Sequence, residues 1–322
     1  LGGVSRLESS AVDTAALTAT AEPGIGGSVL LAELMKRGLF FPVGHCRGVC
    51  IGGYLLQGGF GWNGRLLGPA CASVIGIDYV DAEGDLRHAS EPEHAAILWA
   101  ARGAGPDFFG VVVRFHLRVY RKPGFVGTSV LQYPVERLDD LVRWMCEVGP
   151  DVPPEVELQF LFSRSPSLPP ALRARTGASP VRIEVAVPTF AESRSAAKAA
   201  TAFLASRPKG ARVRLPLLPS PMSAMYSGVM QHYPKANWET DNLWTHAGAQ
   251  ELLPHIRRIV HTMPAPPAHL LWLNWAPASE RPDMAFSVED RTYLAFYGGW
   301  LDDADARATT RWARGNAEAM RS

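Results

Sequence analysis

Seven glycines fall within the twenty residues 43–62, VGHCRGVCIGGYLLQGGFGW, interleaved with Val43, Val49, Ile51, Leu55, Leu56, Phe60 and Trp62. Glycine loses more conformational freedom on folding than any other residue, so this density is costly unless the backbone must turn sharply or run close to something. A surface loop is rich in polar turn formers and rarely interleaves glycine with so many apolar side chains. The segment therefore reads as a backbone closing on a flat or charged ligand, with the Cys46 thiol within reach. Tight turns alone would satisfy the same glycines, and that reading stays open beside the first.

The remaining composition narrows the partners. At 322 residues, 47% hydrophobic and 20% charged, the chain is long enough for two domains with their own cores. A net charge of +1 points to neither nucleic acid nor an anionic membrane. No apolar run approaches the ~20 residues of a membrane span. Four cysteines make no disulfide framework. Cys46 and Cys50 are spaced C-x3-C, Cys71 and Cys146 stand apart, and the histidines are scattered, so no metal site is expected. There is no G-x-G-x-x-G opening a βαβ unit, no phosphate loop and no G-x-S-x-G elbow.

Periodicity predicts a helix over 29–37, capped by Ser28 and stopped by Gly38. A second helix is expected over 91–102, with Ser90 and Glu93 at capping-box spacing. A period-2 strand follows. In it Val111, Val113, Phe115, Leu117 and Val119 face inward, and Arg114, His116, Arg118 and Tyr120 face out. Residues 81–84 read as a hairpin turn. Pro123-Gly124 marks a boundary between domains 1–123 and 124–322. Beyond it, strands are expected near 130–133, 156–162, 181–187, 270–275 and 292–297. Helices are expected over 137–147, 192–206, 250–261 and 303–320, with exposed loops over 163–180 and 215–222. This order predicts an α+β chain whose second part is an antiparallel sheet covered on one side by helices.

The pattern V-G-x-C-x-x-V-x-x-G-G-x-x-x-x-G-G-F-G-W resembles the flavin loop of FAD-linked oxidases of the vanillyl-alcohol oxidase superfamily, in the berberine bridge enzyme-like branch. The resemblance continues through Arg65 and Gly68, over VIGIDYVDAEGDL, and closes with LWAARGAGPDFFGVVVRFHLRVYRKP. With the stretch from AVDTAALTATAEPGIGGSVLL onward it covers about the first 123 residues. It implies a partial PCMH-type FAD-binding domain, then a substrate domain of antiparallel sheet and helices. Relatives carry a first flavin subdomain upstream and a return segment downstream, so the resemblance implies a chain lacking both ends.

FAD is the implied cofactor. Cys46 matches a position that bonds the flavin ring covalently in some members. The implied contact set is Cys46, Val49, Gly52, Gly53, Gly58, Gly59, Gly61 and Val112. Departures from the pattern are Cys50 in place of glycine, Tyr54 in place of histidine, Gln57 in place of a third glycine, and Ala72-Ser73 in place of Asp-Asn. The implied activity is hydride transfer from a C–H of a small-molecule substrate to flavin N5, with molecular oxygen as acceptor. The alternatives are a flavin dehydrogenase and a non-catalytic relative that only binds. The family's base position falls on Ala295, which takes no proton. Tyr293 and Tyr297 share its face and are candidates if a phenol is depressed. Trp244, Trp272 and Trp275 read either as a pocket wall or as core.

Overall fold

The computed structural model describes residues 12–164, 181–277 and 281–321. The chain divides into two compact units, Leu1–Pro123 with Ala278–Val288, and Gly124–Pro277 with Glu289–Ser322. The return of 278–288 to the first unit has no counterpart in the periodicity.

The first unit holds a five-stranded antiparallel sheet in the order Val12–Asp13, Thr18–Ala21, Val111–Arg118, Val74–Val80, Leu86–Ser90. Alternation puts Ala19, Ala21, Ile77, Ala89, Phe115 and Leu117 in the core. Thr20, Asp78, His88 and His116 fall on the other face. The predicted inward set fails at one point. Asp78 pairs with Arg114 but Tyr79 pairs with Val112, so Val113 is an extra residue that bulges the strand. The bulge turns Val112 inward and leaves Val111 53% exposed.

Helix ends also depart from expectation. The first helix is Gly27–Lys36, with Gly26 as its N-cap and no side-chain cap, so Ser28 lies inside it. Leu30, Leu31 and Leu34 form its buried face. The second helix is only Ala95–Ala101, starting from His94 in a left-handed conformation. Ser90 and Glu93 pair through their backbones (2.7 and 3.2 Å) rather than as a capping box, because Ser90 ends a strand.

The second unit is a seven-stranded antiparallel sheet ordered Val213–Pro219, Phe125–Pro134, Val181–Ala191, Gln159–Arg164, His269–Asn274, Thr292–Trp300, Asn237–Thr245. Helices Leu138–Val148, Ala249–His261 and Ala306–Arg321 bury Leu141, Trp144, Ile256, Ile259, Trp312 and Ala313 against Phe160, Ile183, Trp272, Leu294 and Phe296 of the sheet. Each fully buried Leu, Ile or Phe of this set contributes ~1.5–3 kcal/mol. Pro254 is accommodated within the Ala249–His261 helix. The alanine-rich helix is shorter than expected, Arg194–Ala200, and continues as a 3-10 turn over Ala202–Ser206. The proline-rich stretch 215–222 is no loop. It supplies the Val213–Pro219 edge strand and the start of a Met222–Met230 helix. Of the loop expected over 163–180, residues 165–180 lie outside the described residues, while Ser163 and Arg164 end a strand.

Candidate functional site

The glycine loop of the first unit is pinned at one edge by the preceding segment. Gly27 N donates to Val49 O (2.8 Å), Ile51 N to Ile25 O (3.1 Å) and Gly52 N to Pro23 O (2.9 Å). These bonds deliver the chain into a short helix, Ile51–Leu56, with Cys50 at its N-cap. At the other edge Gly44 bridges Gly61, and Trp62 N donates to Val43 O (3.0 Å).

The glycines within this frame have two different uses. Gly59 and Gly61 close on Tyr54. A Cβ at Gly59 would stand 2.8 Å from the Tyr54 ring, and one at Gly61 2.3 Å from its Oη and 2.2 Å from Val43 O. Tyr54 is held there by its hydroxyl, which donates to Pro42 O (2.8 Å). Gly58 closes on Phe286, whose ring would lie 2.7 Å from an added Cβ. Gly103, at φ +109°, meets the same residue at 2.3 Å. Gly52 is closed by Pro23 at 2.9 Å. At these positions the space of a side chain is filled by the protein's own packing. Gly48 and Gly53 have nothing within 4 Å of an added Cβ.

The open backbone therefore runs along 47–50 and Gly53, all exposed, beside the half-buried Cys46. A planar ring can approach this run edge-on or flat without meeting a side chain at Gly48 or Gly53, so the residues present fit a flavin. Val49 is 39% exposed there and offers apolar contact. Burial pushes the Cys46 thiol up from its ordinary value. Cys50 is exposed, its Sγ 3.8 Å from Gly48 O. Val112 is 6% exposed, its side chain turned into the core by the bulge.

Residues 281–288 complete the packing behind the loop. Trp99 Nε1 donates to Asp283 Oδ1 (3.0 Å), Ala285 N to Trp99 O (3.1 Å) and Phe286 N to Arg102 O (3.0 Å). Met284 Sδ sits 3.9 Å from Cys71 Sγ, and Phe60 meets Phe286 edge-on at 5.4 Å. Phe286 escaped the sequence reading, and Tyr54 was read only as a residue standing in place of histidine, without its packing role. The signal was there in part, since a glycine can be small for a neighbour inside the protein as well as for a ligand.

In the second unit, the sheet face away from the helices carries Tyr293, Ala295 and Tyr297. Tyr293 packs on Trp244 (4.9 Å), which meets Trp275 (6.0 Å). Trp275 Nε1 donates to Glu289 Oε2 (2.7 Å). Trp272 belongs to the helix-covered core and lines no pocket on this face. Burial, reinforced by Tyr297, pushes the Tyr293 phenol up, opposite to what a base requires. Tyr297 stacks on His269 at 4.7 Å and meets Tyr233 and Trp238 edge-on. His269 was not singled out by sequence. It is 2% exposed, and its Nδ1 donates to Pro267 O (2.9 Å). Desolvation lowers it to about 4, so it is neutral.

Residues 4–90 match the FAD binding domain family. The chain is 31% identical over 293 residues to an FAD-linked oxidoreductase of Penicillium ochrochloron, covering 90% of this chain and 63% of that protein. It thus spans less than two thirds of the length of this curated relative. Among solved structures, 6-hydroxy-D-nicotine oxidase from Arthrobacter nicotinovorans superposes with a TM-score of 0.82 at 18% identity, over 99% of this chain and 69% of that one. Berberine bridge enzyme from Eschscholzia californica superposes with a TM-score of 0.78 at 16% identity, over 100% and 65%. The chain matches the FAD binding domain over residues 4–90, is similar to FAD-linked oxidoreductases over 90% of its length, and has the fold of the berberine bridge enzyme-like proteins. FAD is the cofactor of this class. Among the described residues no helix is long and apolar enough to cross a membrane.

Proposed function

We propose that the protein oxidises a small organic molecule at a C–H bond of an alcohol, amine or ring carbon, with molecular oxygen as acceptor and hydrogen peroxide as product. FAD, when bound, would supply the hydride acceptor and the route of the electrons to oxygen. The observation that carries this reading is the exposed 47–50 run with the adjacent Cys46, inside the matched FAD binding domain.

In this reading Gly48 and Gly53 admit the ring to the backbone, and Val49 covers its apolar part. Cys46 is the residue we assign to covalent attachment. Its sulfur would bond a ring carbon only as the thiolate, with the ring hydrogen leaving as a proton and two electrons passing to oxygen, and burial holds the thiol proton on, so attachment is favoured by rising pH. Substrate is received on the face bearing Tyr293, Ala295 and Tyr297. Tyr293 is disfavoured as a base because burial holds its proton on, which leaves Tyr297 as the phenol we assign to holding a substrate hydroxyl.

The test is to purify the protein with FAD, record the flavin spectrum, and screen alcohols, amines and sugars for anaerobic bleaching. Air is then admitted and peroxide measured. Failure to acquire flavin bands even with added FAD refutes the cofactor assignment. Bleaching that air does not reverse refutes oxygen as the acceptor.

A further inference from the structure

The polar face of the first unit's sheet gathers Asp78, His88 and His116 from three neighbouring strands. Asp78 Oδ1 lies 2.7 Å from His88 Nδ1 and 3.2 Å from His116 Nε2. One ligand atom from each residue lies within 4.8 Å of the others. The two rings are 5.3 Å apart and inclined at 71°, so they converge on the carboxylate rather than stack on each other. None of the three belongs to the glycine loop. Sequence spacing hid them, because the histidines lie ten and thirty-eight residues from Asp78.

We propose that Asp78, His88 and His116 bind a divalent transition-metal ion of the zinc class, with water completing the shell. Two imidazole nitrogens and a carboxylate oxygen form a borderline donor set suited to such an ion. Ligands on a tetrahedral ion at ~2.0–2.1 Å stand roughly 3.4 Å apart, so the Asp78–His116 separation of 3.2 Å needs to open by about 0.2 Å and the Asp78–His88 separation of 2.7 Å by about 0.7 Å. The outer contacts suit the role. Thr20 Oγ1 lies 3.2 Å from His116 Nδ1, where it would accept a hydrogen bond from Nδ1–H in the tautomer whose Nε2 lone pair faces the ion. Arg114 Nη1 donates to Asp78 Oδ2 at 3.1 Å, leaving Oδ1 for the ion. Its guanidinium is half exposed, which tempers its repulsion of a cation. Gly76 sits beside both rings. A Cβ there would come within 3.5 Å of His116 and of His88, and without it the space remains for a bound water. The side chains of Asp78, His116 and His88 are 16%, 30% and 41% exposed, an open route for entry. An ion so held would tie three strands together.

The FAD-loaded protein, stripped with chelator, is titrated with zinc chloride by calorimetry and with cobalt(II) by absorption. One ion per chain is expected, with the intense visible d–d bands of tetrahedral cobalt(II) and no sulfur charge-transfer band. His88→Ala and His116→Gln should each weaken binding at least ~tenfold, and Thr20→Val should weaken it by about tenfold while leaving all three ligands in place. Zinc at a hundredfold over its Kd should raise the melting temperature by about 5–10 °C in the wild type and much less in the His88 variant. His88 is the most exposed of the three, so its replacement leaves the sheet intact and far-UV circular dichroism unchanged. No binding up to about 1 mM zinc would overturn the proposal and leave a hydrogen-bonded trio. So would affinity unchanged in both histidine variants, or a thiolate charge-transfer band placing the ion on cysteine.

Discussion

Gly52 and Gly53 stand side by side in the Ile51–Leu56 helix, and alanine at each separates packing from cofactor approach. Neither has a positive φ, so alanine gains about 0.5–1 kcal/mol of helix stability at both. At Gly52 the new Cβ would lie 2.9 Å from Pro23 Cβ and 3.1 Å from Pro23 O. That carbonyl is already held by Gly52 N at 2.9 Å and cannot swing aside. Overpacking of this kind costs about 1–3 kcal/mol, which exceeds the helix gain. Nothing lies within 4 Å of a Cβ at Gly53, so there the gain stands alone. The two variants should therefore differ by about 2 kcal/mol, or roughly 4–8 °C in the melting temperature of the flavin-free protein followed by circular dichroism. FAD affinity should report the other role. The Gly53 methyl projects into the open side of the loop and should weaken binding by about tenfold, equivalent to ~1.4 kcal/mol, in a flavin-fluorescence titration. Equal stability of the two variants would refute the packing account of Gly52. Unchanged FAD affinity in Gly53→Ala would remove Gly53 from the cofactor site.

Three further outcomes are expected. His269 titrates near pH 4 when folded, below its ordinary 6.5. The unfolded chain therefore binds the proton first, and this stability is complete above pH 6.5 and lost as pH falls toward 4. The loss amounts to about 3 kcal/mol, and an acid unfolding curve as steep in His269→Gln as in the wild type would contradict it. Phe286→Ala vacates the seat formed by Gly58 and Gly103 and should lower the stability of the first unit by about 3 kcal/mol, with a loss under ~1 kcal/mol in thermal unfolding counting against that seat. Cys46→Ser should abolish flavin fluorescence that stays with the denatured polypeptide, and persistent fluorescence at that peptide would exclude Cys46 as the attachment point.

Strands with clean alternation were legible. Val181–Ala191 shows one buried side chain in two along most of its length, and the sequence repeats that pattern. Edge strands were not. Val213–Pro219 carries Pro216 and Pro219, which argue against a central strand but are tolerated where no neighbour needs the N–H. Asn237–Thr245 forms the opposite edge and is too polar and exposed to announce itself. The bulge at Val113 shifted a periodic pattern by one residue, a change that only the partner strand reveals. The glycine loop was legible as a backbone closing on something. That Gly59 and Gly61 close on Tyr54 is a local fold-back the spacing does not specify, and that Gly58 closes on Phe286 depends on a contact spanning most of the chain. The Asp78 cluster depends likewise on register between strands, which spacing does not encode.

The excursion of residues 281–288 also sets a timetable for synthesis. The seats beside Gly58, Gly103 and Cys71 are filled by Phe286 and Met284, which leave the ribosome after the strands Phe125–Pro134, Gln159–Arg164, Val181–Ala191 and His269–Asn274. At ~5–20 residues per second, the nascent first unit stands with those seats open for roughly 8–30 s after Pro123 emerges. The delayed loop also joins two strands that pair in the second unit, His269–Asn274 and Thr292–Trp300. Completion of the earlier unit and closure of the later sheet therefore fall in the same interval, and slow elongation before residue 281 lengthens the period in which the chain is open to aggregation.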